Sequence, residues 1–294
     1  MKLLVIGQSV KDHINYKNSV AVKPGGIYYS VSALYNIRDE DDEIYLCTGY
    51  RKGDRLFSAL YEKVKKDFIN YTDVIPEVKL NIYDDREREE IYKNVTGRLI
   101  INTDDLKRFD GILINMVTGF DISLEQMRQI RANFDGPVYF DIHTFSRGLN
   151  EKMERKFRLI PDIDKWLQNI DILQVNSREL YSIMDTDDKS EIIKYVLRTR
   201  VKYLLETKGD EGSVCFNIQN SKISGYEMPA LKVDIKNRVG LGDVFGAVFF
   251  YSYIKNNTVA TALKDAVTAG GFAAKYDNLD DFNNLKNDVF SRNN

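Results

Sequence analysis

From residue 111 onward, short apolar runs alternate with segments of helical length and composition. The spacing predicts strands at residues 112–115, 137–143, 171–176 and 203–206, with helices between them. Consecutive strands that are separated by helices pair in parallel, because the crossover returns the chain to the same end of the sheet. The pattern therefore predicts an α/β fold with a mostly parallel central sheet and helices on both faces.

The rest of the chain extends this pattern. Strands are predicted at residues 3–6 and 44–47, an antiparallel pair at 212–217 and 222–228, and helices at 27–37, 55–68, 124–134, 178–184, 190–200, 243–255 and 259–276. Residues 78–95 differ, because Val78, Leu80 and Ile82 alternate with polar residues before a turn at Asp84-Asp85. This segment predicts a charged β-ribbon with one apolar face, projecting from the main sheet.

Polar or small residues follow several predicted strands. In parallel α/β sheets, ligands bind at the carboxyl ends of the strands. The residues that fall at or just past such ends are Asp12, Gly49, His143, Asn176, Thr207 and Gly240. The sequence therefore predicts one ligand site along this edge of the sheet, and His143 fits either a pocket wall or a simple strand end.

Residues 236–247 contain the pattern most typical of an anion site. Gly240 and Gly242 bracket one residue, Asp243 follows at once, and an apolar run of helical length begins at residue 244. Glycines let the backbone approach an anion closely, and the first N–H groups of a helix point at it. A carboxylate beside that anion can take a hydroxyl proton, as phosphoryl transfer requires. The same pattern also fits a tight strand-to-helix connection with an aspartate cap.

Composition excludes several classes of protein. The formal net charge is −2, the pI is about 5.9, and no basic stripe is present, so nucleic acid is not the expected partner. No apolar run approaches the roughly 18 residues that a membrane span needs. Cys47 and Cys215 lie in apolar, strand-like segments, which indicates reduced core thiols. The N-terminal residues read as a first strand rather than a signal peptide, and we expect a cytoplasmic protein.

Six sets of residues, taken in order, carry a family resemblance. They are Gly7 with Asp12, Gly25 with Gly26, Gly49 with Asp54, Asn176 with Glu179, Thr207-Lys208-Gly209 with Gly212, and Gly240-Leu241-Gly242-Asp243. In this order and spacing the chain resembles the ribokinase (PfkB) family of carbohydrate and nucleoside kinases, over nearly its whole length. The resemblance implies a three-layer α/β/α fold, one kinase domain over residues 1–294, and a β-lid formed by segments near residues 12–24 and 76–100.

The resemblance also implies a reaction and its residues. ATP would donate its γ-phosphoryl group, with Mg²⁺, to a hydroxyl of a small sugar or sugar derivative. Asp243 would be the catalytic base, and Gly240, Leu241 and Gly242 would form the anion hole. Substrate contacts are implied for Asp12, Gly25, Gly26 and Ser30, nucleotide contacts for Thr207, Lys208, Gly209 and Gly212, and water-mediated Mg²⁺ contacts for Asn176 and Glu179.

The chain departs from the family at several positions. Ser30 stands where the family usually has Asn, which changes a contact to the sugar. Asn237 and Val239 stand where potassium-activated members have Asp and Thr, so we do not expect activation by a monovalent cation. Arg238 is a candidate for the missing positive charge, whereas Arg147 reads as an exposed loop arginine.

Several alternatives stay open. Tyr28 and Tyr29 could stack on a nucleobase, as in a nucleoside kinase, or pack the helix against the sheet. Asn176 and Glu179 also form a capping box. The departures at positions 30, 237 and 239 would suit a sugar- or nucleotide-binding protein that has lost efficient catalysis. The apolar face of the lid suits a lid-to-lid homodimer, and a monomer is the other choice.

Overall fold

The computed structural model describes residues 1–17, 19–83, 85–86 and 88–291. Asp84, which belongs to the predicted turn of the β-ribbon, lies outside the described residues. The strands are β1 (Lys2–Ile6), β2 (Ser9–Tyr16), β3 (Ser19–Gly26), β4 (Glu43–Cys47), β5 (Gly49–Tyr50), β6 (Asn70–Tyr71), β7 (Glu77–Asn81), β8 (Glu89–Asn94), β9 (Gly111–Asn115), β10 (Val138–Asp141), β11 (Arg147–Leu149), β12 (Arg155–Phe157), β13 (Ile172–Asn176), β14 (Tyr203–Thr207), β15 (Ser213–Gln219) and β16 (Lys222–Met228).

The helices follow the predicted order. They are α1 (Tyr28–Ile37), α2 (Arg55–Tyr61), α3 (Leu124–Asn133), α4 (Ile163–Leu167), α5 (Lys189–Leu197), α6 (Leu241–Asn256), α7 (Val259–Lys275) and α8 (Leu285–Phe290). Short 3₁₀ turns lie at Leu106–Arg108, His143–Ser146, Glu179–Ser182, Gly209–Glu211 and Leu279–Asn284.

The central sheet confirms the predicted α/β architecture. Its strands lie in the order β16, β15, β14, β13, β10, β9, β1 and β4. The six strands from β14 to β4 are parallel, and β15 and β16 are antiparallel to their neighbours. Parallel strands are buried on both faces, which explains why their sequences read as continuous apolar runs.

Two cores cover the two faces of this sheet. In β1, Leu3 and Val5 belong to one core and Leu4 and Ile6 to the other, because successive side chains of a strand point to opposite faces. Helices α1, α6 and α7 contribute to the first core, and α3, α4 and α5 contribute to the second. The result is the predicted three-layer arrangement.

A second sheet of four strands lies over the first core, in the order β3, β2, β7 and β8. Val78, Leu80 and Tyr92 are buried on its inner face and belong to the same core as Tyr29. The predicted lid segments fall on this sheet, which we call the lid sheet. Asp12 lies within β2, so its predicted place just past the end of the first strand was wrong. The antiparallel pairing of β2 with β3, in register from Ser9 to Tyr16, extends the strand through Asp12.

The hairpin of β11 and β12 connects the lid sheet to the body. The N–H of Tyr92 donates to the carbonyl of Met153 (3.0 Å), and the Tyr92 hydroxyl donates to the carbonyl of Val117 (3.2 Å). Arg147, at the start of β11, reaches Glu90 on β8 at 3.2 Å. The prediction of an exposed loop arginine was therefore wrong, because Arg147 is only 9% exposed and pairs with a buried carboxylate.

Three predicted elements are shorter in the structure. Helix α2 ends at Tyr61 rather than at residue 68, and residues 178–184 contain only the 3₁₀ turn Glu179–Ser182. Strand β10 ends at Asp141, because His143 adopts a left-handed backbone with φ of 43°, which a strand does not accommodate. Among the described residues, no helix has the length and apolar character of a membrane-spanning segment.

Two helical glycines give a matched stability test. A Cβ at Gly246 on α6 would lie 2.8 Å from the Tyr139 hydroxyl and against Gln174, whereas a Cβ at Gly270 on α7 meets only the Leu241 carbonyl, at 3.9 Å. We expect Gly246→Ala to lower the free energy of unfolding by about 1–3 kcal/mol through overpacking. Gly270→Ala should raise it by about 0.5–1 kcal/mol, because alanine favours a helix. Urea denaturation of both variants checks this, and equal effects would contradict it.

Candidate active site

The N-terminus of α6 forms an open set of backbone donors. Gly240 precedes the helix in a left-handed conformation with φ of 77°. The N–H of Val244 donates to the Gly240 carbonyl at 3.0 Å, and the N–H groups before it have no partner within the helix. Gly240 cannot be replaced freely, because a Cβ there would collide with the ring of Tyr29. The predicted anion hole is thus a helix N-terminus with exposed donors and a positive dipole end.

Asp243 lies in the first turn of α6 and is buried. Asn115, the last residue of β9, donates from Nδ2 to Asp243 Oδ1. Burial raises the pKa of Asp243 to about 7, and the hydrogen bond from Asn115 and the charge of Arg88 oppose the rise. A carboxylate with such a pKa is partly ionised at neutral pH and can accept a proton.

Two adjoining spaces meet at Asp243. The larger has a volume of about 390 Å³ and is lined by Ile82, Tyr83, Arg88, Asp141, His143, Arg147, Gln174, Asn176, Glu179, Thr207, Gly209, Arg238, Gly240, Leu241, Gly242 and Asp243. The smaller has a volume of about 40 Å³ and is lined by Val10, Asp12, Gly26, Tyr29, Val78, Leu80, Arg88, Glu90, Tyr92, Val117, His143, Val239, Gly240 and Asp243. We call them the large and the small space.

The large space follows the carboxyl ends of the parallel strands. Asp141, Asn176 and Thr207 are the last residues of β10, β13 and β14, so the fold places them along one edge. The residues of the predicted anion hole line the same space. A polar cleft of this kind, at strand ends and a helix N-terminus, suits a phosphate-bearing donor.

Two buried carboxylates face the large space. Burial and the charges of Glu179 and Asp243 raise the pKa of Asp141 well above its usual range. Burial raises the pKa of Glu179 to about 7, and the charge of Arg147 opposes the rise. Burial disfavours the ionised form of these carboxylates, and a nearby cation would stabilise it. Carboxylate oxygens are also ligands that Mg²⁺ prefers.

Asn176 and Glu179 also form the predicted capping arrangement. Asn176 Oδ1 accepts hydrogen bonds from the N–H groups of Arg178 (3.0 Å) and Glu179 (2.9 Å), and Glu179 Oε2 accepts one from the N–H of Asn176 (2.9 Å). Both residues nevertheless line the large space. Capping and a contact to a hydrated metal are therefore compatible. No group of three or more metal-binding side chains occurs within the described ranges.

Arg88 is the main site residue that sequence reasoning missed. It precedes β8 on the lid sheet and lines both spaces. Its Nε donates to Glu90 Oε1 at 2.8 Å. Burial alone would lower the pKa of Arg88, but the charges of Glu90, Asp12 and Asp243 raise it, so the guanidinium stays protonated. The period-two alternation of Arg88, Glu90 and Tyr92 is the signal that could have placed these residues on one inner face.

Glu90 holds two arginines at the boundary of the two spaces. Its carboxylate contacts Arg88 at 2.8 Å and Arg147 at 3.2 Å. Burial would raise the pKa of Glu90, but Arg88, Arg147 and His143 hold it at about 2, so the carboxylate is ionised. Burial lowers the pKa of His143 to about 3, although the negative charge of Glu90 opposes this fall. The imidazole is therefore neutral at physiological pH.

Asp12 faces the small space from β2. Burial raises the pKa of Asp12 to about 8, Glu90 and Asp243 add to the rise, and Arg88 opposes it. A Cβ at Gly25 would collide with the Asp12 carboxylate, so a glycine is required across the strand pair. Gly26 has φ of 62° and lines the small space. The structure therefore brings Asp12, Gly25 and Gly26 together near Asp243.

Other predicted residues lie outside the described linings of both spaces. Ser30 donates from Oγ to the main-chain carbonyl of Asp243 (3.3 Å), which ties α1 to the start of α6. Lys208 pairs with Glu211 at 3.1 Å. Gly212 has φ of 103°, and a Cβ there would collide with the Met228 carbonyl, which gives this glycine a structural role.

The structure also gives the contacts of the tyrosines beside Ser30 and of Asn237, which lie at or near positions where the chain differs from the family. Tyr28 packs on Phe57 and Tyr61, with ring centroids 6.0 and 5.8 Å away, whereas Tyr29 lines the small space. Asn237 Oδ1 accepts from the N–H of Val239 (3.1 Å), and its Nδ2 donates to the Val239 carbonyl (3.0 Å). The Asn237 amide thus stabilises the loop before the anion hole.

Comparison with known proteins gives one family match and several structural matches. Residues 144–284 match the model of the pfkB family carbohydrate kinases. No protein of curated function matches the chain significantly by sequence. Ribokinase from Giardia lamblia superposes with a TM-score of 0.78 and 15% identity, over 99% of this chain and 99% of that chain.

Two further matching structures are complexes with ligands. A pyrophosphate-dependent kinase in the ribokinase family, complexed with a pyrophosphate analog and myo-inositol, gives a TM-score of 0.75 and 17% identity over 94% of this chain and 96% of that chain. Arabidopsis thaliana ribokinase, complexed with ribose and ATP, gives a TM-score of 0.73 and 15% identity over 97% of this chain and 98% of that chain. At these identities the likeness shows the fold.

The fold and the family match together define a phosphotransferase with an alcohol group as acceptor. The match over residues 144–284 confirms the resemblance to the ribokinase-like, pfkB-type carbohydrate kinases that the sequence motifs indicated. The predicted ribokinase-like fold is confirmed as well. The roles of the individual site residues stay predictions.

The contact between Asn115 and Asp243 gives a test that does not depend on activity. Asn115→Leu removes the donor to Asp243 Oδ1, so the pKa of Asp243 should rise above about 7. Carboxyl ¹³C NMR titration measures this, with Asp243→Asn to assign the signal. As a control, Asn133→Leu on the exposed end of α3 should leave the titration unchanged. An unaltered Asp243 pKa in Asn115→Leu would show that Asn115 does not stabilise the ionised form of Asp243.

Proposed function

We propose that this protein transfers the γ-phosphoryl group of ATP to a hydroxyl of a small sugar or sugar derivative, with Asp243 as the general base. The observation that carries the proposal is the position of Asp243 at the junction of the large and small spaces, beside the free N–H groups of α6. A donor in the large space and an acceptor in the small space would meet at this carboxylate. The family match to carbohydrate kinases supports the same reaction.

The residues at the junction have complementary roles in this reaction. Ionised Asp243 accepts the proton of the attacking hydroxyl, and Asn115 holds its carboxylate in place. The N–H groups at Leu241 to Asp243 stabilise charge on the transferring phosphoryl group. Arg88 faces the same point from the lid sheet and adds a positive charge. A loose transition state needs mostly positioning and charge stabilisation, which these groups supply.

Mg²⁺ fits the donor side of this site. Glu179 and Asp141 would hold it together with the donor phosphates, and Asn176 would contact its water shell. When bound, the ion supplies charge neutralisation on the phosphates. The buried carboxylates themselves gain from the same neutralisation, because burial alone disfavours their ionised forms.

Pyrophosphate is the alternative donor. A structurally similar kinase is described as pyrophosphate-dependent, and another is complexed with ATP. Arg88, Arg147 and Arg238 line the large space and suit the phosphates of either donor. Thr207 and Gly209, which the resemblance assigns to the nucleotide, also line it and support ATP as the first choice.

The remaining alternatives concern the acceptor and the assembly. A nucleoside would depend on Tyr29, since Tyr28 is packed against α2. A binding protein without turnover is distinguished by the assay below. Val20 and Val22 are 73% and 51% exposed on β3, which supports a homodimer through the lid sheet. A cytoplasmic location stays part of the proposal.

The proposed base gives the main activity prediction. Asp243→Asn should lower the rate by about 10²- to 10⁴-fold, because the positioned base is lost while the shape is kept. ADP release from Mg-ATP, and phosphate release from Mg-pyrophosphate, are measured against pentoses, hexoses, sugar phosphates and nucleosides. Asp234→Asn, at an exposed aspartate before the anion hole, is the matched control and should keep full activity. Near-normal turnover by Asp243→Asn would remove this residue from the role.

The pKa of Asp243 predicts a pH profile. The base must be ionised, so kcat/KM should fall about tenfold for each pH unit below about 7. Asn115→Leu should move this midpoint to higher pH. Asp12→Asn should lower the rate but keep the midpoint near 7, since Asp12 is not the base in this mechanism. A flat profile between pH 5 and 8 would contradict the assignment.

A further inference from the structure

The small space is lined by more acidic than basic groups. Asp12, Glu90 and Asp243 face it, and Arg88 is the basic side chain among its described lining residues. His143 also lines it, at the boundary with the large space. The surroundings of an acceptor are therefore neutral or negative, depending on the protonation of Asp12 and Asp243.

The charge of Arg88 is already compensated. Its guanidinium contacts the Glu90 carboxylate at 2.8 Å, and Glu90 is buried and ionised. A phosphate group on the acceptor would have to compete with Glu90 for Arg88, in a place where removing one partner of a buried pair is costly. Phosphate sites in proteins instead offer several free donors or uncompensated cations.

Nearby cations are engaged elsewhere. Lys11 points away from Asp12 and pairs with Asp54 at 3.1 Å. Arg155 donates to the carbonyls of Thr118 and Arg147 and lies 4.5 Å from the Tyr92 ring centroid. Lys23, opposite Asp12 in the β2–β3 register, lies outside the described lining of the small space.

We propose that the acceptor is an uncharged polyhydroxyl compound, and that Glu90 excludes phosphorylated sugars by occupying Arg88. The inference rests on the proposed function and specifies its substrate class. Neutral hydroxyls suit this lining, because the carboxyl groups of Asp12 and Asp243 can accept or share hydrogen bonds with them. A phosphate dianion in the same place would meet the ionised Glu90 carboxylate at short range, and also that of Asp243 when this group is ionised.

The test compares matched pairs of ligands. Binding of ribose and ribose 5-phosphate, fructose and fructose 6-phosphate, and myo-inositol and myo-inositol 1-phosphate is measured by calorimetry on the full chain without a donor. Initial rates with Mg-ATP and with Mg-pyrophosphate are measured for the same compounds. In at least one pair the neutral member should bind at least about tenfold more tightly, and no phosphorylated member should bind better than its neutral partner.

Glu90→Gln tests the cause of the selectivity. The variant keeps the shape of the side chain, removes its negative charge and frees Arg88, so the preference for the neutral member should fall by about tenfold or more. Glu89→Gln is the matched control, since Glu89 precedes Glu90 in β8 and is exposed on the opposite face. Lys23→Met should leave the selectivity unchanged. Thermal unfolding of each variant confirms that it is folded.

The outcomes separate this inference from the proposed kinase activity. Tighter binding or faster turnover of a phosphorylated member would overturn the inference and leave the kinase in place. Binding of a neutral member without phosphoryl transfer would support the acceptor class and contradict the kinase. No binding of any compound would overturn the inference, as would an unchanged preference in a folded Glu90→Gln protein.

Discussion

The hydrogen bond from Asn115 to buried Asp243 is the contact on which the site depends. A carboxylate at the start of an apolar helix, beneath a covering sheet, is expensive to ionise unless fixed donors compensate it. The central strand β9 supplies one donor at its carboxyl end, and the helix N-terminus supplies a favourable dipole. The parallel sheet and α6 are therefore more than a scaffold, because their packing sets how readily Asp243 accepts a proton.

The lid sheet depends on a second buried carboxylate. Glu90 ties Arg88, which precedes the same strand, to Arg147, which belongs to the body. This group is one of the contacts that hold the lid sheet over the junction, and it positions a basic side chain beside Asp243. Opening the lid would break the contact between Glu90 and Arg147 and expose both charges to water. The position of the lid sheet and the charge arrangement thus depend on the same set of side chains.

The sequence allowed prediction of features that depend on local pattern. Strand runs, the helix N-terminus at Gly240 and the base candidate Asp243 each follow from a few neighbouring residues, and strand ends located Asn176 and Thr207. Arg88 and Asn115 could not be placed in this way. Their positions depend on the register of the lid sheet and on contacts between residues 128 positions apart in the chain, which periodicity does not encode. The nucleotide contact predicted for Gly212 stays a prediction, and its φ of 103° beside the Met228 carbonyl depends on strand pairing that the motif does not encode.

The two acidic groups near the acceptor differ in a way that suits their proposed roles. Burial raises the pKa of both groups, to about 8 for Asp12 and about 7 for Asp243, and Asn115 donates a hydrogen bond to Asp243 that favours its ionised form. In the proposed reaction, protonated Asp12 can donate a hydrogen bond to one hydroxyl of the acceptor, while ionised Asp243 accepts the proton of the attacking hydroxyl. Arg88 opposes the rise of both, and Glu90 fixes Arg88. When two neighbouring carboxyl groups have different surroundings, one can serve as a hydrogen-bond donor and the other as the base within a single site.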